Sequence, residues 1–242
     1  MPDCCESKDY QKRISEVRRY YDSVAEDQVG RFSPQAPTMK IFELAKSQRP
    51  RRILDIGCGN GNTLFHLAAE PFVETAIGID FSWNMIRQAR KRLSQEANAK
   101  LAFFIGNAID IQYPDHTFEA MVSECVFNLL PDREQGLREL RRLLIPGGRI
   151  YLSDFVMLRP FPSPLPDGIL SDVSACRVGS LSISDSIRAF EQAGLQVLES
   201  HDFTQEKNAY YAQYYGNLDK NALRERTLED YVGYRLFVLT SA

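Results

Sequence analysis

The sequence predicts an α/β fold: a doubly wound, mostly parallel sheet of seven strands, with helices on both faces and a helical cap at the N-terminus. Two observations predict it. Short apolar runs alternate with helical segments, and a glycine-rich loop joins the first run to the helix behind it. This alternation is typical of parallel strands whose connecting helices pack on both faces of the sheet.

The N-terminal part of the chain predicts helices rather than strands. Apolar residues recur at helical spacing from about residue 10 to residue 26, and again from residue 36 to residue 47. Pro37 suits the first turn of the second helix, where its missing amide hydrogen is not needed. We therefore expect residues 1–50 to form a helical cap.

Strands and helices then alternate to the end of the chain. The runs predicted as strands are residues 52–57, 76–80, 101–106, 118–124, 149–154, 195–200 and 235–240. The helices predicted between them are residues 63–70, 83–94, 132–144 and 183–193. A Pro-Gly-Gly turn at residues 146–148 ends the third of these helices, and a proline-rich stretch over residues 159–166 follows the fifth strand.

Composition limits the classes of function. The chain has 242 residues, a net charge of −3 and an isoelectric point of about 5.7, which disfavours a sequence-independent nucleic-acid binder. It contains no apolar run of membrane-spanning length and no sign of a secretory signal. Five cysteines without framework spacing suit a reducing compartment. We expect a cytoplasmic monomer or homodimer that binds neither nucleic acid nor a membrane.

The loop after the first strand is the strongest site motif. Asp55 is followed by Gly57, Gly59 and Gly61, between a predicted strand and a predicted helix. Glycine allows a positive φ there and lets the backbone approach a ligand closely. The spacing differs from the G-x-G-x-x-G of dinucleotide binders, and the preceding acid favours a cationic ligand over a phosphate. Asp80, at the end of the second strand, is placed to accept hydrogen bonds from ribose hydroxyls.

These motifs resemble those of the class I, Rossmann-like S-adenosylmethionine-dependent methyltransferases, over about residues 51–154. The resemblance includes residues 107–109, residues 123–125 and the Pro-Gly-Gly turn. It implies S-adenosylmethionine as the cofactor, bound by residues 51–158, with residues 159–242 completing the sheet and adding an insertion that faces the substrate. The cofactor-binding residues that it implies are Tyr21, Asp55, Gly57, Cys58, Gly59, Gly61, Asp80, Phe81, Asn107, Ala108, Ile109 and Ser123.

A narrower resemblance is to the arsenite methyltransferases. Residues 123–132 are similar to the segment that follows their fourth strand, and residues 174–181 to a segment whose cysteine binds trivalent arsenic as a thiolate. Cys176 is the matching residue here. Most other cysteines of that family have no counterpart, since Leu64 stands near one such place and no cysteine follows Cys176. One thiolate does not build a trigonal arsenic site, so this resemblance indicates common ancestry more than a shared substrate.

Three readings of the function stay open. In the first, a soft acceptor such as a thiol or a metalloid is methylated beside Cys176. In the second, an oxygen, nitrogen or carbon atom of a biosynthetic small molecule is the acceptor, and His201 or Glu124 serves as a base where one is needed. In the third, the protein binds the cofactor but has lost transfer. The catalytic candidates are therefore Cys176 and His201, and no residue spacing predicts a metal site.

Overall fold

A computed structural model gives the fold of residues 35–161, 179–215 and 230–242. The other residues that it describes are Ser15, Arg18, Arg19, Tyr21, Asp22 and Arg177. Cys176 and most of the first predicted helix lie outside the described residues.

The described part of the chain alternates strands and helices. The strands are β1 (Arg52–Ile56), β2 (Thr75–Asp80), β3 (Leu101–Ile105), β4 (Phe118–Glu124), β5 (Leu144–Met157), β6 (Leu195–Asp202) and β7 (Val232–Ser241). The helices are α1 (Gln35–Gln48), α2 (Asn62–Ala68), α3 (Trp83–Glu96), α4 (Arg133–Leu143), α5 (Ile183–Gln192) and α6 (Thr204–Tyr215), with a 3₁₀ helix at Phe127–Leu129. Within these ranges, no helix is both long and apolar enough to cross a membrane.

All seven strands form one sheet in the order β3-β2-β1-β4-β5-β7-β6. β1 is parallel to both of its neighbours, so that Asp55 is in register with Gly78 of β2 and Val122 of β4. β7 runs antiparallel between β5 and β6. The predicted seven-stranded, mostly parallel sheet is confirmed. Its strand order reverses between β1 and β4, and ligands of such sheets bind outside the carboxyl ends of the strands at this point.

Alternate side chains of β1 pack against helices on opposite faces of the sheet. Ile53 joins a buried cluster that contains Ile41 of α1 and Leu64 of α2. Leu54 joins a second cluster, which contains Leu140 of α4. Complete burial of one such side chain contributes about 1.5–3 kcal/mol to folding. The two apolar faces hold the carboxyl edge of the sheet as a rigid base for a site.

The described part of the helical cap contacts the sheet and the helix after β2. α1 docks through Ile41 and Ala45, whose side chains are almost completely buried. Asp22, from the preceding helical segment, accepts hydrogen bonds from Ser82 Oγ at 2.6 Å and from the amide of Asn84 at 3.2 Å. Because α3 begins next to the end of β2, this contact anchors the cap beside the carboxyl edge of the sheet.

β5 begins earlier than the sequence predicts. We expected a helix up to residue 144 and a strand from residue 149. Instead α4 ends at Leu143, and Leu144 already pairs with Phe118 of β4. The register then shifts before Ala120, because the Pro-Gly-Gly turn is accommodated inside the strand as an irregularity. The 3₁₀ helix after β4 was not predicted either.

Substitution of Gly61 tests how tightly the glycine loop is fixed. Gly61 has a φ of 85°, and an added Cβ would lie 2.6 Å from the ring of Phe103. Left-handed backbone costs other residues about 1–2 kcal/mol, and overpacking adds about 1–3 kcal/mol. We expect Gly61→Ala to lower the free energy of unfolding in urea by about 2–5 kcal/mol.

Gly147→Ala is the matched control for this prediction. Gly147 has a φ of 79°, but no atom lies within 4 Å of an added Cβ. Only the backbone penalty of about 1–2 kcal/mol applies there. Equal losses in the two variants would contradict the close packing of the loop against Phe103.

Candidate cofactor site

A cleft opens at the carboxyl ends of β1, β2 and β4, where the strand order reverses. We call it the cofactor cleft. The described residues that line it are Tyr21, Ile56, Gly57, Gly59, Ile79, Asp80, Phe81, Met85, Gly106, Asn107, Ala108, Glu124, Cys125, Val126, Leu129, Leu130 and Pro131. A neighbouring groove between α1 and α2 shares Gly57, Gly59, Met85 and Glu124 with the cleft.

Backbone hydrogen bonds fix the glycine loop at the floor of the cleft. The amides of Gly57 and Cys58 donate to the carbonyl of Ile79 at 2.8 and 3.0 Å. Gly57 has a φ of 70°, and an added Cβ would collide with the side chain of Val126. The loop therefore presents backbone rather than side chains to a ligand, as the alternating glycines predict.

Asp80 is held at the end of β2 by backbone amides. Its Oδ2 accepts from the amide of Gly59 at 2.8 Å, and its Oδ1 accepts from the amide of Ser82 at 2.7 Å. Burial raises the pKa of Asp80, and these hydrogen bonds oppose the rise. Each carboxylate oxygen keeps a further lone pair, so both can still accept from ribose hydroxyls.

Asp55 is a buried carboxylate without a donor. Its exposed fraction is 3%, and none of the described residues donates a hydrogen bond to its side chain. Burial, followed by the negative charges of Glu124 and Asp80, raises the pKa of Asp55 well above its usual range. A buried carboxylate is costly unless it is paired. Asp55 therefore fits a ligand that brings a positive charge.

Glu124 adds a third carboxylate at the end of β4. Its Oε2 accepts from Thr38 Oγ1 at 2.5 Å, and its Oε1 accepts from Thr63 Oγ1 at 2.7 Å. Burial raises the pKa of Glu124 although both hydrogen bonds lower it. Among the described residues that line the cleft there is no lysine, arginine or histidine. The cleft is therefore suited to a cation.

Part of the cleft lining is apolar. Phe81, Ala108, Leu129 and Leu130 line it, and they suit a flat heterocycle. Asn107 accepts a hydrogen bond through its Oδ1 from the amide of Ile109 at 3.3 Å, which shapes the turn after β3. A nucleoside that carries a cationic centre fits this distribution of charge and apolar surface.

The structure separates the predicted cofactor residues into three groups, which line the cofactor cleft, the neighbouring groove or neither. Those that line the cofactor cleft are Tyr21, Gly57, Gly59, Asp80, Phe81, Asn107 and Ala108. Asp55 and Cys58 instead line the groove between α1 and α2, and Cys58 also packs closely on Gly78 of β2.

The third group lies outside the described lining of both the cleft and the groove, and consists of Gly61, Ile109 and Ser123. Gly61 precedes α2 and faces Phe103, and Ile109 is buried with an exposed fraction of 3%. Ser123 lies within β4, buried between β1 and β5. None of the three is among the described residues that line the cleft, so the structure gives no direct support to their predicted contact with the cofactor.

Several lining residues were not predicted as cofactor contacts. They are Ile56, Ile79, Met85, Gly106, Glu124, Cys125, Val126, Leu129, Leu130 and Pro131. The apolar run after β4 was a usable signal, because it directly follows a strand that ends at the cleft. Met85 gives no such signal, since it lies on the buried face of α3 like any core methionine.

The structure places His201 far from the cleft. It lies on β6, where its Nε2 is 3.0 Å from Glu199 Oε2. β6 is three strands away from β4, which corresponds to about 14 Å at the usual strand spacing. His201 is not among the residues that line the cleft. Its predicted catalytic role therefore finds no support in this position, and Cys176 lies outside the described residues.

Cys125 is the described cysteine that faces the cofactor cleft. Its backbone has a φ of 56°, in the left-handed region that residues other than glycine rarely adopt. Its Sγ lies 2.9 Å from the hydroxyl of Tyr234, which in turn lies 3.2 Å from Ser153 Oγ. Burial raises the pKa of Tyr234 well above its usual range, so this hydroxyl stays protonated.

The fold and the cleft together define a protein that binds a cationic nucleoside at the switch point of a doubly wound sheet. Comparison with known proteins identifies the family. Residues 48–217 match a family model described as a methyltransferase domain. The chain belongs to this family. The expected class I methyltransferase, and S-adenosylmethionine as its cofactor, are thereby confirmed.

Individual relatives extend this result. The chain is 29% identical over 151 residues to an arsenite methyltransferase of Halobacterium salinarum, a match that covers 61% of the chain and 38% of that protein. It is 29% identical over 161 residues to the 27-O-demethylrifamycin SV methyltransferase of Amycolatopsis mediterranei, which covers 64% and 57% of the two chains. The matches thus span well under two thirds of these relatives.

A solved structure titled as the [4+2]-cyclase SpnF has a TM-score of 0.67 with this chain. The identity is 18%, and the match covers 92% of this chain and 94% of that one. At this identity the likeness concerns the fold alone. Its name as a cyclase indicates that this fold hosts more than one chemistry.

Replacement of Asp55 tests the charge of the site. The pKa of Asp55 is higher in the folded protein than in the unfolded chain. The charged form of Asp55 therefore destabilises the folded, ligand-free protein, and this destabilisation disappears as the pH falls through the raised pKa. A cationic ligand favours the charged form. We therefore expect the Kd for S-adenosylmethionine to rise as the pH falls from about 8 to about 5.

Asp55→Asn removes the charge but keeps the shape of the side chain. By calorimetry, we expect it to raise this Kd about tenfold at neutral pH and to weaken its pH dependence. We also expect the ligand-free variant to unfold at a higher temperature than the wild type, because a buried charge is lost. Asp230→Asn, at an exposed position, is the control. An unchanged Kd together with an unchanged melting temperature would contradict the role of Asp55.

Proposed function

We propose that this chain transfers the methyl group of S-adenosylmethionine to a small-molecule acceptor. The observation that carries the proposal is the presence of Asp80 and Glu124 in a cleft without a cationic side chain among its described lining residues, with Asp55 buried beside them in the adjoining groove. When bound, S-adenosylmethionine supplies a methyl group activated by a sulfonium. The protein aligns the acceptor with that group and excludes water.

The acceptor in this proposal is a soft nucleophile, a trivalent metalloid or a thiol. Both acids of the cofactor cleft are poor candidates for a base, because Asp80 accepts from two amides and Glu124 from two hydroxyls. A soft lone pair attacks a methyl carbon without prior deprotonation by the protein. The Halobacterium relative, which is named an arsenite methyltransferase, agrees with this choice.

A second candidate is an oxygen, nitrogen or carbon acceptor on a larger apolar molecule. The apolar run from Val126 to Pro131 lines the cleft, and a buried aromatic cluster with Phe155, Tyr211 and Tyr234 packs against Cys125. Such surroundings suit a bulky substrate. The Amycolatopsis relative, named for a rifamycin substrate, supports this candidate.

Measurable methyl transfer would exclude the third reading, in which the protein binds the cofactor without transferring its methyl group.

A cytoplasmic location and a monomeric or homodimeric state complete the proposal. Size-exclusion chromatography with light scattering tests the assembly state. Neither nucleic acid nor a membrane has a part in it.

Substitution of Cys176 tests the soft acceptor. We expect the wild type to methylate arsenite or a small thiol, and Cys176→Ser to reduce this rate about tenfold or more, because serine is a poor ligand for a soft centre. The Kd for S-adenosylmethionine should stay unchanged, since the cysteine contacts the acceptor. Methyl transfer is measured by mass spectrometry of the product.

A panel of phenols, amines and enols separates the first candidate from the second. Transfer to these acceptors but not to arsenite or thiols would refute the soft acceptor. Full arsenite methylation by Cys176→Ser would refute only the role of Cys176.

A further inference from the structure

One carboxylate joins two helices at the edge of the cofactor cleft. Glu124 accepts from Thr38 in the first turn of α1 and from Thr63 in the first turn of α2. α2 continues directly from the glycine loop, whereas α1 belongs to the cap. Glu124 also lines both the cleft and the groove between these helices. A single side chain therefore contacts the cap, the loop helix and the cleft.

We propose that Glu124 is a positioning residue that couples the docking of α1 to cofactor binding, acting through Thr38 and Thr63. The inference rests on the proposed function insofar as S-adenosylmethionine is the ligand. A carboxylate offers about four lone-pair sites, so two hydroxyl donors leave room for a cationic group from the cleft. That group strengthens a network whose other members hold the two helices.

The remaining contacts between α1 and α2 are of another kind. The rings of Phe42 and His66 lie 5.4 Å apart in the middle of the groove. At the outer end, Lys46 Nζ lies 2.8 Å from Glu70 Oε1, and the lysine side chain is 59% exposed. An exposed ion pair of this type contributes little. It joins α1 to the residues that directly follow α2, and neither side chain is among the described residues that line the cleft, which makes it a matched control for Glu124.

The coupling has a consequence that a purely structural role lacks. Thr38 lines the groove but is not among the described residues that line the cleft, so we expect its hydroxyl to act on the cofactor through its hydrogen bond to Glu124. Coupling free energies are reciprocal: docked α1 tightens cofactor binding, and the bound cofactor stabilises docked α1 to the same extent. Both directions can be measured separately.

Thr38→Val removes the hydroxyl and keeps the shape of the side chain. We expect its Kd for S-adenosylmethionine, measured by calorimetry, to rise about fivefold or more, and KM for the cofactor to rise with little change in kcat. In hydrogen exchange, the cofactor should protect the amides of α1 in the wild type and protect them less in the variant. Glu70→Gln should bind like the wild type and keep the protection.

A double-mutant cycle with Glu124→Gln decides whether Thr38 acts through the carboxylate. We expect Thr38→Val to have no further effect on the Kd in the Glu124→Gln background. Additive effects of the two substitutions would overturn the coupling, and so would wild-type affinity in Thr38→Val. Either result leaves the proposed function intact as long as the wild type binds S-adenosylmethionine. If the wild type binds no S-adenosylmethionine, the proposed function fails. The connection of α1 to α2 through Glu124 is then tested in the ligand-free protein. It is supported if Glu124→Gln speeds amide exchange in α1 and Glu70→Gln does not, and it is refuted if Glu124→Gln leaves this exchange unchanged.

Discussion

Negative charge buried at one edge of the sheet is the constraint on which the rest of the site depends. Asp55, Asp80 and Glu124 stand at or next to the ends of β1, β2 and β4, three adjacent strands. Because these strands are parallel and in register, their ends meet at the same edge, and the carboxylates converge there. Burial disfavours the charged forms of all three carboxylates, and at Asp55 the charges of Glu124 and Asp80 add repulsion. Only a cationic ligand relieves this arrangement fully.

The three carboxylates differ in the hydrogen bonds that they accept, and this difference limits the cost of their burial. Asp80 receives two backbone amides and Glu124 receives two hydroxyls, whereas Asp55 receives no hydrogen bond from the described residues. The unfavourable part of the site is thus concentrated at Asp55. Apolar clusters on both faces of the sheet supply the stability that offsets it. The carboxylate that depends most on a cationic ligand, Asp55, therefore lies next to the glycine loop, where the glycines leave space for that ligand.

The sequence predicts those features of the site that depend on local backbone requirements. The alternating glycines and Asp55 reveal the loop, and the end of an apolar run reveals Asp80. Glu124 could not be recognised as a bridge, because its partner Thr38 is 86 positions away and only the packing of the cap brings the two together. The catalytic role predicted for His201 finds no support in the structure for a related reason. Its strand end was visible in the sequence, but the insertion of β7 between β5 and β6 was not, and it moves His201 to the edge of the sheet.

The charge of the cleft also bears on the choice among soft acceptors. An anionic thiolate that approaches Glu124 and Asp55 is repelled by both, and it needs the positive charge of the cofactor to offset this repulsion. A trivalent metalloid hydroxide is neutral and still offers a lone pair, so the same carboxylates do not oppose its entry. The sulfur of Cys125, which lies beside the protonated hydroxyl of Tyr234, adds a soft group at the cleft wall. Electrostatics and softness therefore both favour a neutral metalloid over a free thiolate as the acceptor to be tested first.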